Sequence, residues 1–232
     1  MSDVLMNKDV LINKKEEGLT QQAYKQLKSM ILSHRLKAGM VFNEAQLQEA
    51  LGIGRTPVRE AVLQLAKEDF LIIHPRRGLE VARISPKRIR DIFQIRSLLE
   101  PQILKNGMDK IDRAWLSHMR EEFLRYSRAD FNLSDQDTVK LSMLDNEFHM
   151  GIVNSIDNHY ATELMTGFQD YLTLFRACTT IDIIRFGPSN QEHIAIIDFM
   201  LNGDIEGACN NLTDHLARSY EESINIVMHM PI

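Results

Sequence analysis

The chain has 232 residues, enough for one large domain or two small ones at about 150 residues each. Its 44% hydrophobic and 25% charged residues exclude a wholly disordered chain, and no apolar run reaches the roughly 18 residues of a membrane span. The net charge of −5 hides an asymmetry: residues 1–90 hold 16 Lys and Arg against 10 Asp and Glu, whereas residues 91–232 hold 11 against 22. A basic amino-terminal third on an acidic body fits a polyanion-binding module joined to a second unit.

Residues 1–18 are polar and charged, without the basic-then-apolar layout of a signal peptide, and read as a flexible leader of a cytoplasmic protein. Cys178 and Cys209 fit a reducing compartment and are too few for a disulfide framework or a cysteine zinc cluster. With only 11 Gly and 6 Pro, helices are favoured over many short strands. From Thr20 to His34, Tyr24, Leu27 and Ile31 recur at helical spacing behind a Thr suited to capping. Gly39 breaks that pattern, and Asn43 with Gln46 forms a capping-box signature opening a short helix through Leu51. Leu51-Gly52-Ile53-Gly54 reads as a tight turn into a third helix over Arg55 to about Asp69. Pro57 is tolerated in its first turn, and Val58, Val62 and Leu65 give it a buried face. Leu71–His74 and Leu79–Val81 read as extended segments joined by a hairpin turn, Pro75-Arg76-Arg77-Gly78.

Two helices joined by a short glycine-containing turn, followed by a hairpin, is a winged helix-turn-helix layout over residues 19–83. Arg55, Thr56 and Arg59 stand at the start of the third helix, where recognition helices meet base edges. Arginine can pair bidentately with guanine, and the free N–H groups of a helix start favour phosphate. Arg76 and Arg77 sit at the wing tip, in reach of phosphate or minor groove. The competing reading makes these arginines solvated charges pairing with Glu60 or Glu68.

The run Leu51-Gly52-Ile53-Gly54-Arg55-Thr56-Pro57-Val58-Arg59-Glu60-Ala61-Val62, then Leu65 and Arg77-Gly78, resembles the DNA-binding domain of GntR-superfamily bacterial transcription regulators. The resemblance implies Arg55, Thr56 and Arg59 as principal DNA contacts, with Gly78 at the wing. Gly54 stands where that family usually has Ser or Thr, which removes a phosphate contact. Ala45 stands where it often has Arg, which removes a base contact.

After Val81 the sequence reads as helices near 86–108, 112–131, 134–155, 158–181, 188–202 and 204–229, with Gly203 ending the fifth and Asp204 opening the sixth. The fold class is therefore mainly α: an amino-terminal winged helix-turn-helix followed by an all-helical bundle over 84–230, large enough to bury its own core. Four residues do not suit a plain core. Asp145 and His149 are four apart on a face carrying Leu141, Phe148 and Ile152. His193 shares a stripe with Ile196, Ile197 and Met200, and His215 lies with Ala208, Leu212 and Ile226. One carboxylate and three imidazoles can bind a divalent metal; zinc is expected, and nickel and manganese also suit the donors. The plainer alternative is three hydrogen-bonded core histidines. Arg96 falls on the apolar stripe of Ile89, Ile92, Phe93, Leu99 and Ile103. An unpaired guanidinium there is costly, so it either pairs with Glu100 or clamps a bound carboxylate.

Asp145-Asn146-Glu147-Phe148-His149, then His193 and His215, together with Ile95-Arg96-Ser97-Leu98-Leu99-Glu100, is similar to the FCD-type (FadR-like) effector domain of one GntR subfamily. In its metal-binding members an Asp and three His at these places hold the ion, and all four are present. The resemblance spans about residues 19–226. It implies a homodimeric regulator of double-stranded operator DNA, a repressor relieved by a small carboxylate that touches the metal and Arg96, with Arg176 as a further pocket residue and no membrane partner. Two readings compete: the ion itself is the signal, or the site is a metal-dependent hydrolase. An enzyme is disfavoured, because no general base stands beside the ligands and the helix-turn-helix would have no purpose.

Overall fold

The computed structural model describes residues 18–33, 35–127, 135–178 and 182–229. All but Gly18 of the expected leader over 1–18, the expected end of the first helix at His34, the end of the second bundle helix at 128–131 and residues 179–181 lie outside them. The chain divides into two compact units, one ending at Ala82 and one beginning at Arg83.

The first unit runs α1 (Leu19–Leu32), β1 (Val41–Phe42), α2 (Glu44–Leu51), α3 (Arg55–Lys67), β2 (Leu71–His74) and β3 (Gly78–Val81). The three strands form one antiparallel sheet in the order β1-β3-β2, with Phe42 opposite Leu79 and Ile73 opposite Leu79 across the other side. The capping box forms: Asn43 Oδ1 accepts from Gln46 N, and Gln46 Oε1 accepts from Asn43 N, both at 2.9 Å. Gly52, at φ +65°, ends α2 in the left-handed conformation that favours glycine. Ala23, Leu27 and Ile31 of α1 and Val58, Ala61, Val62 and Leu65 of α3 are buried. Each of the larger side chains contributes about 1.5–3 kcal/mol by leaving water.

One expectation fails here and one element is not foreseen, both for local reasons. Thr20 does not cap α1, which begins at Leu19 after Gly18 with no side-chain cap; the Thr20 hydroxyl instead donates to Glu60 Oε2 at 2.6 Å. β1 is not legible as a strand in the sequence because it is two residues long and takes its definition from pairing with β3.

The second unit begins with α4 (Pro86–Gly107), started by Ser85 and by Pro86 in its first turn, and a short 3₁₀ turn (Met108–Lys110). It continues through α5 (Arg113–Tyr126), α6 (Asp135–Asn154), α7 (His159–Cys178), α8 (Asp182–Leu201) and α9 (Ile205–His229). Asp112 caps α5 by accepting from Ala114 N at 2.9 Å, and the described part of that helix ends at Tyr126. Gly203, at φ +75°, turns the chain after α8, and Asp204 Oδ1 accepts from Gly207 N at 2.8 Å to open α9. α8 starts six residues before the expected Pro188, which lies inside it. A proline inside a helix removes one backbone hydrogen bond, and the helix here continues through it. Phe123, Phe148, Ile152, Ile196, Ile197, Leu212 and Leu216 are among the core residues of this bundle. Among the described residues no helix is long and apolar enough to cross a membrane.

Gly151 on α6 faces Trp115 of α5 so closely that an added Cβ would lie 2.2 Å from the indole. Glycine to alanine inside a helix ordinarily stabilises by about 1 kcal/mol. Here the sign is expected to reverse, with Gly151→Ala destabilising by about 1–3 kcal/mol in urea melts as the core is overpacked.

Candidate functional site

In the first unit, Arg55, Thr56 and Arg59 are exposed at the start of α3, and Arg76 and Arg77 are exposed at the wing. None of the four arginines has a salt-bridge partner among the described residues, and the carboxylates that could have neutralised them are engaged elsewhere. Glu60 accepts from Thr20, while Glu68 accepts from Tyr24 at 2.8 Å and from Lys28 at 3.1 Å. Gly54 precedes α3 and supplies no side-chain cap, so the first amides of that helix face outward. The wing turn is closed by Arg77 N donating to His74 O at 3.0 Å and holds Arg76 at φ +67°, a left-handed conformation costly for arginine. Gly78 at φ +107° has room for no side chain: a Cβ would meet Phe42 O at 2.6 Å. Arg55 and Arg76 line one groove between the start of α3, α2 and the wing.

In the second unit, α6, α8 and α9 bring Asp145, His149, His193 and His215 together. Each offers one ligand atom, and the four atoms lie within 4.8 Å of one another. The flanking apolar faces are buried as their spacing implies, with Ile226 only partly so. His149, His193 and His215 are 1–2% exposed. Asp145 Oδ1 lies 3.6 Å from His193 Nε2 and 3.9 Å from His149 Nε2, so one oxygen faces both imidazoles. Its other oxygen accepts from Arg176 of α7, whose second nitrogen reaches Asn146 Oδ1 at 3.0 Å. Burial alone would raise the Asp145 carboxyl, but Arg176 first, then His149 and His193, hold it well below the usual carboxylate range.

His149 Nε2 and both ring nitrogens of His193 are buried without a hydrogen-bond partner. The plain reading of hydrogen-bonded core histidines covers one nitrogen each of His149 and His215 and leaves His193 unaccounted for. Orphaned imidazole nitrogens converging with a carboxylate oxygen fit a divalent cation, which would take one nitrogen from each ring. Two of the three rings are tied down by their other nitrogen: Glu100 Oε2 lies 2.6 Å from His149 Nδ1, and Glu192 Oε2 lies 2.8 Å from His215 Nδ1.

Arg96 is 2% exposed and donates from Nε to Glu100 Oε1 at 2.6 Å, the pairing that competes in the sequence with an effector clamp. Its Nη2 is buried and has no partner. Burial raises the Glu100 carboxyl, but Arg96 and His149 outweigh it and bring it down to about 2. Beside the cluster lies a cavity of about 70 Å³ lined by Arg96, Asp145, Arg176, Asn190 and the three histidines, among others. Arg176 thus does line this pocket, chiefly as the partner of Asp145. Sequence reasoning misses Glu192, because its contact with His215 joins two helices and leaves no local periodic mark.

Residues 19–81 match the family described as bacterial regulatory proteins, gntR family, and residues 91–218 match the FCD domain. The chain belongs to the FCD-type GntR regulators. The families and relatives it matches are transcription regulators, not enzymes. It is 26% identical over 208 residues to an uncharacterized HTH-type regulator in an unstable DNA locus of Streptomyces ambofaciens, covering 90% of this chain and 86% of that one. A GntR regulator from Rhodococcus sp. RHA1 has the same fold, with a TM-score of 0.75 at 19% identity, over 89% of this chain and 97% of that one. The Zn2+-bound FCD domain of TM0439 superposes with a TM-score of 0.51 at 23% identity, over 64% of this chain and all of that one. This GntR-family chain thus joins a DNA-binding unit to an FCD unit holding a candidate Asp/His metal site.

Burial lowers the His193 imidazole well below 6.5, His215 lowers it further, and Asp145 opposes both. The sign follows: below pH 6.5 the unfolded chain takes this proton before the folded one does, so stability present above 6.5 is lost as pH falls. Urea melts of metal-free protein are expected to lose up to about 1.4 kcal/mol per pH unit below that point. His193→Gln removes this contribution and should flatten the slope.

Proposed function

We propose that this FCD-type regulator is a homodimeric, cytoplasmic repressor that releases its operator when a small carboxylate binds. The unit over 19–83 is the DNA-binding domain, with Arg55, Thr56, Arg59, Arg76, Arg77 and Gly78 at the interface. The unit over 84–230 carries the effector site and the dimer contacts. The observation that carries the reading is the set of orphaned nitrogens around Asp145: three on His149 and His193, and Arg96 Nη2 beside the same cavity. Asp145, His149, His193 and His215 would hold the metal, zinc first, with nickel and manganese as alternatives, and the ion would supply positive charge to attract an anion. Arg96 Nη2 donates a charge-assisted bond to the acid's carboxylate. A cavity of about 70 Å³ favours a compact acid over a long-chain one. Effector binding changes operator affinity by a coupling of about 1–3 kcal/mol.

The test is thermal stability of zinc-loaded protein against a panel of small carboxylates, followed by operator binding with each hit. A true effector is expected to stabilise by about 2.7 kcal/mol at a hundred times its dissociation constant. That gain should disappear in Arg96→Ala. Stability and operator binding that follow zinc alone, with no response to any acid, would replace the effector by the ion as the signal.

A further inference from the structure

We infer that Glu100 and Glu192 are positioning residues that aim two imidazoles at the metal from outside the ligand set. This rests on the metal reading above. Two three-residue chains share one pattern: Arg96–Glu100–His149 and Arg218–Glu192–His215. In the first, Glu100 spans Arg96 Nε and His149 Nδ1, each at 2.6 Å. In the second, Glu192 spans Arg218 Nε at 2.7 Å and His215 Nδ1 at 2.8 Å. In both, one carboxylate oxygen holds an arginine and the other holds a histidine on a different helix.

An imidazole that donates Nδ1–H to a carboxylate has its tautomer and ring angle fixed, and Nε2 becomes the more basic nitrogen that it turns to a metal. His149 fits that description, since its Nε2 is the buried, unpartnered atom on the side of Asp145. The remaining two ligands are held from behind by other means. His193 stacks on Phe123 of α5, with ring centres 4.5 Å apart and planes at 22°. Asp145 is held by Arg176 of α7. Each of the four ligands is thus fixed by a side chain from a helix other than its own, and α4, α5, α7 and α8 all contribute.

The two chains end differently. Arg218 is half exposed, whereas Arg96 is buried beside the cavity with Nη2 directed to no partner. Glu192 is therefore the cleaner place to test positioning, because its removal leaves no buried charge behind.

The experiment uses the full chain and Zn2+ alone, titrated in competition with a chromophoric chelator, with Co2+ absorption as a report of ligand geometry. Glu192→Ala is expected to weaken Zn2+ binding roughly 10- to 100-fold and to alter the Co2+ bands. Glu192→Gln, whose amide oxygen still accepts from Nδ1–H, should retain the bands and lose less than about tenfold. Glu221→Ala removes an exposed charge from α9 and should change neither readout. Glu192→Ala with wild-type affinity and unchanged bands would overturn the inference while leaving the metal site standing. Equal weakening in all three variants would also overturn it, as an effect of net charge. Failure of the wild-type chain to take up Zn2+ would overturn the metal reading and the inference with it.

Discussion

Glu100→Ala is expected to destabilise the helical unit by about 3–5 kcal/mol, because it strands a buried cation. Arg96 is 2% exposed, Glu100 is fully buried, and Arg96 Nε lies 2.6 Å from Glu100 Oε1. Removing the carboxylate leaves that charge in the core and also takes the acceptor from His149 Nδ1. The single tryptophan, Trp115, lies in α5 of this unit, so its emission during urea unfolding reports the helical unit by itself. A double substitution, Arg96→Met with Glu100→Leu, should recover most of the loss, since an apolar pair of similar volume often equals or exceeds a buried ion pair. It should not recover all of it, because His149 Nδ1 stays without an acceptor at a cost of about 1–3 kcal/mol.

The same pair gives an acid signature with a fixed sign. Glu100 sits at about 2 in the folded chain against an ordinary 4.5, so the folded carboxylate resists protonation. Its stabilisation is complete above pH 4.5 and is lost as pH falls toward 2, about 3 kcal/mol in all at roughly 1.4 kcal/mol per unit. A loss under about 1 kcal/mol in Glu100→Ala would mean that Arg96 reaches water and that the pair behaves as an exposed one.

Why some of this is legible in the sequence and some is not follows from how far each interaction reaches along the chain. The Asn43–Gln46 capping box spans three residues, so its signature and its bonds coincide. Asp145 and His149 are one helical turn apart, and Arg96 and Glu100 likewise, so helix geometry alone puts each pair on one face. That His193 and His215 converge on Asp145 follows from α8 and α9 packing, which no periodicity encodes; there the family resemblance carries the expectation. Glu100's second contact, with His149, crosses 49 residues, and Glu192's contact with His215 crosses 23. A sequence read helix by helix assigns Glu100 to Arg96 and stops there. The start of α8 is misplaced in such a reading because Pro188 is a boundary signal, yet the helix runs through it.

Arg55→Ala and Arg59→Ala are each expected to cost about 1–3 kcal/mol of DNA affinity, roughly five- to 150-fold, and to relax the sequence preference. The reason lies in what the structure leaves these side chains to do. Both are exposed at the start of α3, and neither has a salt-bridge partner among the described residues, with Glu60 and Glu68 committed to α1. The wing arginines should behave differently. Arg76 is held in a strained left-handed turn with Arg77 beside it, a geometry suited to the sugar-phosphate edge. Their removal should weaken binding about equally on all sequences and lower the salt dependence by about one unit of slope for each phosphate no longer neutralised. The measurement is fluorescence anisotropy at several salt concentrations, using DNA chosen by the wild-type chain from a random pool and a scrambled control. If Arg55→Ala and Arg59→Ala weaken both DNAs equally and change only the salt slope, α3 holds phosphate and the bases are read elsewhere. If all four single variants bind as the wild type does, the basic face of the first unit is solvated surface and the DNA interface lies on another face of the fold.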